Sequence, residues 1–574
     1  MSLAFPMTAA ATPREQKIVR RMGRGWLARV ADVNVLKLAG SPYDMGYQHG
    51  VLLAEEIRRG PIPYYRQMVE KLLGGALGPA SGLVFPVLQK TIGRRVGADM
   101  PAFARETLRG IAEGAALDPQ DFLDGCTMPD SLMWVTARMM QLKGHGPAVA
   151  HRIALELGCT SAVAWGGATE DGALLHARNF DYHGVGCWPQ NKAVIFHEPD
   201  EGHRYVSVAA AGVGLGGITA MNEAGLSLTV HQHMFTDRTK LGGVPIGLVG
   251  DMVMREASNL DEAQAILDAH TPIGCWTYVV TDGHAKETLC YEENPERSAA
   301  RRYRDEETFG YANIYLDEQL GASEVNLYGS YWRHNEGRHR RANELLERGR
   351  GAHDPQGMAE ILGDTGSDAC RVRDSIAMVL TVGSVVFRPE DGTLWVGTGD
   401  APTSHGTFLP FTFAQEGYAP ERGELTVQRD DTEAFERFRR TYVAYVDCSD
   451  LTAARGHMEE AARLAPSEPL YHFLRGLLHL EAGDAARAEE AFDRALAIGH
   501  PDPERVAAFH LWRGRARDLL SRRDEAERDY RRALGHHADP PVHRAAKRGL
   551  RRAFTAKQAR AMHVDIGLAD VVLP

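Results

Sequence analysis

The middle of the chain, from residue 159 to about 415, alternates short β-compatible runs of apolar residues with turns. Asp-Gly pairs separate two such runs in three places, and Asp-Gly between alternating apolar runs is a strong signal for a β-hairpin. Helical patterns interrupt the strands at 245–257 and at 260–269. This mixture predicts antiparallel sheets with helices packed on them, an α+β arrangement. The three pairs are Asp171-Gly172, Asp282-Gly283 and Asp391-Gly392.

The first part of the chain, residues 1–158, has a different pattern. It begins with a strand-like run at 33–38 and continues into a stretch at 40–50 that is rich in turn-forming residues. From Val51 to the segment before His151 the spacing of apolar residues is typical of helices. We therefore expect a mostly helical segment before the β-rich core.

The end of the chain predicts helices that repeat. Residues 416–450 resemble a connector, and within 451–574 the segment 481–496 aligns with 519–534 at a fixed offset of 38 residues. Small and aromatic residues at these spacings resemble tetratricopeptide repeats, whose period is about 34 residues. Such helices bind partner proteins or brace a neighbouring domain. The matched pairs are Gly476 and Gly514, Ala488 and Ala526, Phe492 and Tyr530, Ala495 and Ala533, and Leu496 and Leu534.

Composition and charge exclude several classes of protein. The 574 residues are 44% hydrophobic and 25% charged, which is typical of a water-soluble globular protein. A formal net charge of -11 supplies no global attraction for nucleic acid. No run of about 18 apolar residues predicts a membrane span, and the N-terminus lacks the order of a secretory signal. We expect a cytoplasmic protein.

The cysteines do not form a framework. Seven of them are scattered without a CxxC pair, which argues against paired disulfides and against a zinc ribbon. One of them, Cys159, opens a predicted strand that folds back through the turn at 171–172 towards Arg178 and Asp181. A guanidinium beside a cysteine favours the thiolate over the thiol. This pairing is typical of a cysteine nucleophile in covalent catalysis.

Several segments around Cys159 resemble one family. They are SPYDMGYQHG, GCTSAVAW, HARNFDY and GGITAMNEAGLSLT, and together they are similar to the cysteine N-terminal-nucleophile hydrolases. The nearest branch is the acyl-CoA:6-aminopenicillanate acyltransferase-like (peptidase C45) group. Penicillin V acylase, bile salt (choloylglycine) hydrolase and acid ceramidase are more distant. The resemblance covers about residues 33–415.

The resemblance implies a fold and a maturation step. The fold is a four-layer αββα sandwich, followed here by the all-α tetratricopeptide-like region at 451–574. The chain would cleave itself between Gly158 and Cys159, leaving 1–158 as a pro-segment (α chain) and 159–415 as the catalytic core (β chain). Because Gly158 has no Cβ, the thiol can approach its carbonyl in a strained conformation. An N-to-S acyl shift and hydrolysis would then free the α-amino group of Cys159.

A free α-amino group suits the next step. Its reference pKa is about 7.7, so it can act as a general base at neutral pH. By resemblance, Arg178 would contact the thiol and the substrate, and Asp181 would hold the amino group. Asn313 would be an oxyanion donor, although Ile314 stands where the family has a histidine.

Other family positions are less sharply matched. A further oxyanion donor is expected on the strand near His231 and Gln232, where backbone amides would serve. A family arginine corresponds to Arg338 or Arg333, and the spacing to the following leucines favours Arg338. Asn222 is a possible oxyanion or substrate residue, but its place in a turn before a strand favours a structural role.

Three aromatic residues are candidates for the wall of an acyl pocket. Tyr182, Trp188 and Phe235 follow the nucleophile and its partners in the sequence. Plain core packing explains them equally well.

Three signals point elsewhere and are set aside. Gly125-Cys126-Thr127 repeats the nucleophile motif, but a helical pattern follows it and no Arg-x-x-Asp does. Residues 212–217 satisfy GxGxxG, but a turn and a strand follow where a dinucleotide site needs a helix. The pair His231 and His233 lacks further ligands for a metal. We expect no metal and no cofactor.

The leading hypothesis is a self-processing amide hydrolase or acyltransferase. It would act through a thioester on Cys159 upon a small amide, acyl-amino or acyl-thioester substrate. Two alternatives stay open. One is a repeat-domain scaffold with a vestigial core, and the other is a Cys-His hydrolase that does not cleave itself. We expect no nucleic-acid or membrane partner, and a homo-oligomer or protein partner could form through the repeats.

Overall fold

The part of the chain that can be described covers most of the sequence. The computed structural model describes residues 15–77, 86–142, 158–214, 216–233, 236–325, 329–366, 375–428 and 432–572. No helix in these ranges is both long and apolar enough to cross a bilayer.

Two large sheets dominate the described residues. The first has ten strands in the order β1-β2-β3-β6-β7-β8-β9-β10-β11-β12. The second has eight, in the order β13-β4-β5-β14-β15-β16-β17 with β18 also on β16. The strands are β1 Lys17–Met22, β2 Gly25–Val30, β3 Val33–Gly40, β4 Gly158–Ala164, β5 Leu175–Asp181, β6 Lys192–Pro199, β7 Tyr205–Ala210, β8 Thr219–Asn222, β9 Leu226–Gln232, β10 Trp276–Asp282, β11 Glu287–Asn294, β12 Arg297–Tyr303, β13 Thr308–Tyr311, β14 Thr381–Arg388, β15 Thr393–Gly397, β16 Gly406–Thr412, β17 Gly417–Tyr418 and β18 Leu425–Val427, and a separate hairpin is formed by β19 His563–Asp565 and β20 Asp570–Val572.

Helices cover the outer faces of both sheets and build the C-terminal region. They are α1 Pro42–Leu52, α2 Ala54–Arg59, α3 Pro61–Leu77, α4 Arg94–Ala98, α5 Ala102–Gly114, α6 Pro119–Cys126, α7 Met128–Gln141, α8 Leu248–Glu256, α9 Leu260–Asp268, α10 Glu318–Gly321, α11 Gly329–Arg348, α12 Pro355–Leu362, α13 Thr432–Tyr442, α14 Leu451–Leu464, α15 Pro469–Glu481, α16 Ala485–Ile498, α17 Pro503–Leu519, α18 Arg523–Leu534, α19 Pro540–Arg551 and α20 Ala556–Ala559.

Apolar clusters show the order of the layers. Between the sheets, Val194 and Val206 of the first pack against Phe387 and Phe411 of the second. On the outer side of the first sheet lie α1, α5, α8 and α9. On the outer side of the second lie α11 and α12. The predicted four-layer αββα sandwich is confirmed, because each sheet buries one face on the other and one face on helices.

The three hairpins expected at the Asp-Gly pairs are present. β4 pairs with β5, β10 with β11 and β14 with β15, all antiparallel. The helices expected at 245–257 and 260–269 are α8 and α9. The N-terminal region differs from the expectation, because β1 and β2 extend the sheet before β3, and β3 pairs in parallel with β6 of the core.

The segment 40–50 was wrongly predicted as turns, since it forms helix α1. Ser41 and Asp44 form a capping box, and Pro42 occupies the first turn, where its missing N–H costs nothing. Gly46 and Gly50 are not turn residues but contact points. A Cβ on Gly46 would lie 2.1 Å from the carbonyl oxygen of Thr107 on α5. The glycines therefore allow two helix backbones to touch.

The C-terminal region is helical, and the two aligned segments pack alike. α15 lies on α16, and α17 lies on α18. A Cβ on Gly476 would meet the ring of Phe492, and a Cβ on Gly514 would meet the ring of Tyr530, at 2.5 and 2.9 Å. The offset of 38 residues thus repeats a small-residue-against-ring contact. That these helices are tetratricopeptide repeats stays a prediction.

Candidate active site

The register of one hairpin sets the geometry around the proposed nucleophile. β4 runs through Gly158 and Cys159 without a break, and it pairs Gly158 with Asp181, Cys159 with Phe180 and Ser161 with Arg178. Residues two apart on a strand share a face, and so do residues paired across strands. Cys159 and Arg178 therefore share the face that looks at the first sheet. Asp181 lies on the opposite face, which α11 covers.

Arg178 contacts the thiol directly. Its Nη2 donates to Sγ of Cys159 at 3.2 Å and to the carbonyl of Val230 at 2.8 Å, and its Nη1 donates to the carbonyl of Ile218 at 2.6 Å. The guanidinium is completely buried. The two carbonyls fix its plane, so the charge is held on the sulfur. A cation held on sulfur stabilises a thiolate.

Asp181 has one satisfied and one unsatisfied oxygen. Oδ1 accepts from the hydroxyl of Thr381 at 2.6 Å, and Oδ2 has no hydrogen-bond partner among the described residues. A Cβ on Gly158 would lie 3.0 Å from Oδ2, so this oxygen borders the Gly158–Cys159 peptide. Burial raises the pKa of Asp181, and the nearby Arg338 and the Thr381 hydroxyl oppose that rise. A buried, half-satisfied carboxylate favours a cation placed beside it.

Arg338 and Asn313 hold the backbone of Cys159. Asn313 Oδ1 accepts the Cys159 N–H at 2.6 Å, and its Nδ2 donates to the carbonyl of Gln232 at 2.9 Å. Arg338 Nη1 donates to the Cys159 carbonyl at 2.8 Å and to Thr160 Oγ1 at 3.0 Å. Its Nη2 donates to Asn313 Oδ1 at 3.2 Å. Amide and carbonyl on either side of the Cys159 Cα are therefore both anchored.

The hydrogen-bonded side chains around Cys159 and Asp181 are called the cage below. Three of its residues were not identified from the sequence. His334 Nε2 accepts from Arg338 Nε at 3.0 Å, and Asn335 Oδ1 accepts from Arg338 Nη2 at 2.7 Å. Thr381 holds Asp181. The spacing of His334, Asn335 and Arg338 on one helix was the available signal, since residues three and four apart are neighbours on a helix surface.

A cavity of about 150 Å³ opens beside the thiol. Its wall is mostly apolar and comes from both the core and the N-terminal helices. Polar groups at the wall include Cys159, Asp181, Gln232 and Asn313. The apolar wall includes Ile62, Tyr65, Leu108, Phe180, Tyr182, Trp188, Val213 and Ile218.

Two of the three predicted aromatic wall residues lie at this cavity. Tyr182 stacks on Phe180 with ring centroids 5.2 Å apart, and Trp188 meets Tyr182 edge-on at 5.6 Å. Tyr65 of α3 stacks on the other side of Tyr182 at 5.7 Å. Phe235 lies outside the described residues.

Other predicted residues are placed elsewhere. Asn222 uses both amide groups locally, because Nδ2 donates to Met254 and Ala257 carbonyls while Oδ1 caps the turn that follows. That matches the structural role favoured for it. His231 bonds Ser161 between the two sheets at 2.9 Å, and burial lowers its pKa well below the usual value. It does not border the cavity.

Arg333 and Arg338, the two candidates for the family arginine, contact different parts of the molecule. Both belong to α11, but only Arg338 reaches Cys159. Arg333 forms a bidentate ion pair with Asp539 at 2.9 Å and a further pair with Glu504, both in the C-terminal region. Arg333 therefore joins the core to the C-terminal helices.

The signals that were set aside have structural explanations. Cys126 ends α6 and borders the same cavity, but burial raises the pKa of its thiol to about 12. Gly212 and Gly214 also border the cavity, and the strand β8 follows them. Within the described ranges no group of three His, Cys, Asp or Glu side chains could hold a metal ion.

Part of the core matches a known protein family. Residues 168–401 match the model of the family described as acyl-coenzyme A:6-aminopenicillanic acid acyl-transferase. The resemblance of the core to this family is confirmed, and the tetratricopeptide likeness of residues 451–574 stays a prediction. Arg178, Asp181, Asn313 and Arg338 fall inside the matched segment, and Cys159 lies nine residues before it. The family match therefore indicates a relationship to acyl-transferases over this segment.

Individual proteins are more distant. An uncharacterized protein of Archaeoglobus fulgidus is 30% identical over 283 residues, which cover 46% of this chain and 44% of that protein. A Caenorhabditis elegans N-acylethanolamine-hydrolyzing acid amidase ortholog is 17% identical with a TM-score of 0.30, covering 40% of this chain and 93% of that one. The N-terminal domain of stress-induced protein-1 from C. elegans is 19% identical with a TM-score of 0.20, covering 22% and 100%.

Proposed function

We propose that Cys159 is the nucleophile of a self-processing amide hydrolase or acyltransferase. One observation carries the proposal. The thiol, the amide and the carbonyl of this single residue each have a dedicated partner, in Arg178, Asn313 and Arg338. Any buried residue needs partners for its amide and carbonyl, but a structural cysteine needs no guanidinium on its sulfur. The same thiol also faces an apolar cavity large enough for a hydrocarbon group.

The first reaction is cleavage of the chain. Sγ of Cys159 attacks the carbonyl carbon of Gly158, the bond from that carbon to the Cys159 nitrogen breaks, and water hydrolyses the resulting thioester. A Cβ on Gly158 would sit 3.0 Å from Asp181 Oδ2 and 3.2 Å from Arg338 Nη2. Glycine at this position therefore leaves the peptide room to distort as the sulfur approaches.

The second reaction uses the amino group that cleavage frees. The amine takes the thiol proton, and the thiolate attacks the acyl carbonyl of the substrate. Oδ2 of Asp181 accepts no hydrogen bond from the described residues, lies 4.0 Å from Arg338 Nη1 and borders Gly158, the residue before this nitrogen. In our proposal it would hold the resulting ammonium. Collapse of the tetrahedral intermediate expels the substrate amine, which takes a proton from the ammonium. Water or an acceptor amine then removes the acyl group from sulfur.

The cavity favours an apolar acyl group. The cavity of about 150 Å³ is lined mostly by aliphatic and aromatic side chains, which favour a hydrocarbon group, and its polar groups lie at the thiol. The described wall contains no basic side chain that would pair with an anionic acyl group, since Arg178 is turned to the sulfur. Both acyl transfer, which the family description names, and hydrolysis use the same residues.

A substrate series tests this proposal. The purified protein is offered N-acyl amides and acyl thioesters with chains of two, four, eight and twelve carbons, with and without a primary amine. We expect a covalent mass increase equal to the acyl group on the fragment that begins at Cys159, and faster turnover for the longer chains. The same fragment treated with iodoacetamide serves as the control. Turnover without any acylated fragment would contradict a thioester mechanism.

Arg338 and Arg333 provide a matched pair on one helix. We expect Arg338→Lys to slow self-cleavage by about 10- to 100-fold, because one ammonium cannot replace several charge-assisted hydrogen bonds of about 1.5–3 kcal/mol each. Arg333→Lys loses only its contacts with the C-terminal region, so cleavage should stay within about twofold of wild type. The rate is followed by denaturing gel after refolding. Equal slowing in both variants would mean that the cage around Cys159 is not specific.

A further inference from the structure

One buried carboxylate of the segment between α13 and α14 lies behind the wall of the substrate cavity. The chain leaves α13 through a π-helical turn, Val443–Asp447, which ends before α14 begins. Asp447 is only 8% exposed, although it belongs to neither sheet. It faces α3 on one side and the loop after β5 on the other.

Asp447 uses both oxygens on these two neighbours. Oδ1 accepts from the hydroxyl of Tyr64 at 2.6 Å, and Oδ2 accepts from the backbone N–H of Gly186 at 2.9 Å. Each partner is adjacent to a wall of the cavity. Tyr65 follows Tyr64 on α3, and Trp188 lies two residues after Gly186. The carboxylate therefore ties together the two segments that carry the aromatic wall.

The backbone of the loop after β5 leaves space for the Asp447 carboxylate. A Cβ on Gly186 would lie 3.2 Å from Asp447 Oδ2, and a Cβ on Gly184 would lie 3.0 Å from the ring of Tyr64. The N–H groups of Cys187 and Trp188 both donate to the carbonyl of Gly184 at 2.8 Å. A tight turn thus sets Trp188 directly beyond the Asp447 contact. The turn also receives a second support, since the hydroxyl of Tyr442 bonds Nδ1 of His183 at 2.8 Å.

We propose that Asp447 is a positioning residue for acyl specificity, through which the connector between the core and the C-terminal helices sets the shape of the substrate cavity. The inference rests on the proposed function of that cavity. The residue touches neither the thiol nor the cavity, so it acts on the walls through Tyr64 and Gly186. It gives the connector that leads to the C-terminal helices a role in shaping the active site, separate from binding a partner.

The protonation of Asp447 gives a second way to test its role. Burial raises the pKa of its carboxyl to about 6. The titratable groups facing it are Tyr64 and Lys71 of α3, Cys187 of the loop and Cys448, and burial raises the pKa of Tyr64 and of both thiols. Below about pH 6 Asp447 becomes protonated and loses one of its two acceptors. The two walls should then separate.

The test compares Asp447→Ala and Asp447→Asn with Asp529→Asn. Asp529 is a buried carboxylate of the C-terminal region, and neither it nor its partners Arg513 and Arg517 line the cavity. For the processed enzymes, KM and kcat are measured on acyl amides of two to twelve carbons. Binding of dodecanamide, a neutral probe, is measured on the same substitutions in a Cys159→Ala chain between pH 5 and 8.

We expect about a tenfold rise in KM for the twelve-carbon amide and in Kd for dodecanamide, with kcat and the two-carbon substrate within about twofold. The Asp529→Asn chain should match the parent. As the pH falls through about 6, the Kd of the parent chain for dodecanamide should rise towards that of Asp447→Asn. The Kd of Asp447→Asn should not change over the same range. Unchanged dodecanamide binding in both Asp447 variants would overturn the inference and leave the proposed function intact. Weaker dodecanamide binding without any amide turnover would support Asp447 and reject the proposed function, and absent dodecanamide binding in every chain would reject both.

Discussion

Replacing Cys159 by alanine should leave a single intact chain of 574 residues, where the wild type gives two fragments that meet at Gly158 and Cys159. The alanine has no sulfur to attack the Gly158 carbonyl, so neither cleavage nor an acyl-enzyme can form. Loss of a covalent nucleophile costs several orders of magnitude in rate. Denatured intact mass of both proteins measures the outcome directly, and acyl-amide turnover should fall to background.

Cys126→Ala is the matched control for this experiment. Cys126 carries the same Gly-Cys-Thr motif and borders the same cavity, but no guanidinium contacts its sulfur among the described residues. We expect full cleavage and turnover within about threefold of wild type. An intact wild-type chain would remove the free amino group from the mechanism. In that case the scaffold and Cys-His alternatives would become the better explanations.

Replacing Asp181 by asparagine should lower kcat/KM by about 10²- to 10³-fold, equivalent to about 3–4 kcal/mol. Asparagine keeps the shape and can still accept from Thr381, but it carries no charge to hold the α-ammonium of Cys159. Removing the carboxylate disfavours the protonated amine and so lowers the pKa of the amine. The acidic limb of the profile of kcat/KM against pH should therefore move to lower pH.

That shift separates a direct role from a loss of folding. Asp529→Asn removes an equally buried charge far from the thiol, and it should lower thermal stability without moving the pH profile. The profile is recorded with one acyl amide across pH 4 to 9 for all three proteins. An Asp181→Asn enzyme with an unmoved acidic limb would show that Asp181 does not hold the base.

Local signals in the sequence accounted for most of the core. The Asp-Gly pairs at 171–172, 282–283 and 391–392 mark the connections between strands that pair in antiparallel fashion. Gly172 and Gly392 adopt a positive φ, which glycine tolerates best, whereas Gly283 does not. The hairpin of β4 and β5 follows from one of these pairs, and with it the pairing of Gly158 with Asp181. Arg178 and the nucleophile thus become neighbours through contacts only about 20 residues apart.

Local signals failed where a glycine could serve either in a turn or at a contact between helices. In the segment 40–50, Gly46 and Gly50 were interpreted as turn residues, and they are points where α1 touches α5. A glycine in a turn and a glycine under a neighbouring helix are identical in sequence. The difference exists only once the second helix, some 60 residues later, is in place.

The amino-acid sequence by itself determined the antiparallel sheets with packed helices and placed Cys159 near Arg178 and Asp181, because these depend on strand pattern, turn chemistry and short separations. The four-layer order of the sheets was implied by the family resemblance. Only the tertiary structure decided between Arg338 and Arg333, brought Asn313 and Thr381 to the site, and placed Asp447 against the cavity. Asn313 is 154 positions from Cys159, Thr381 is 200 positions from Asp181, and Asp447 is 383 positions from Tyr64. No periodicity connects such distant positions, so their meeting is set by how layers pack and not by any local pattern.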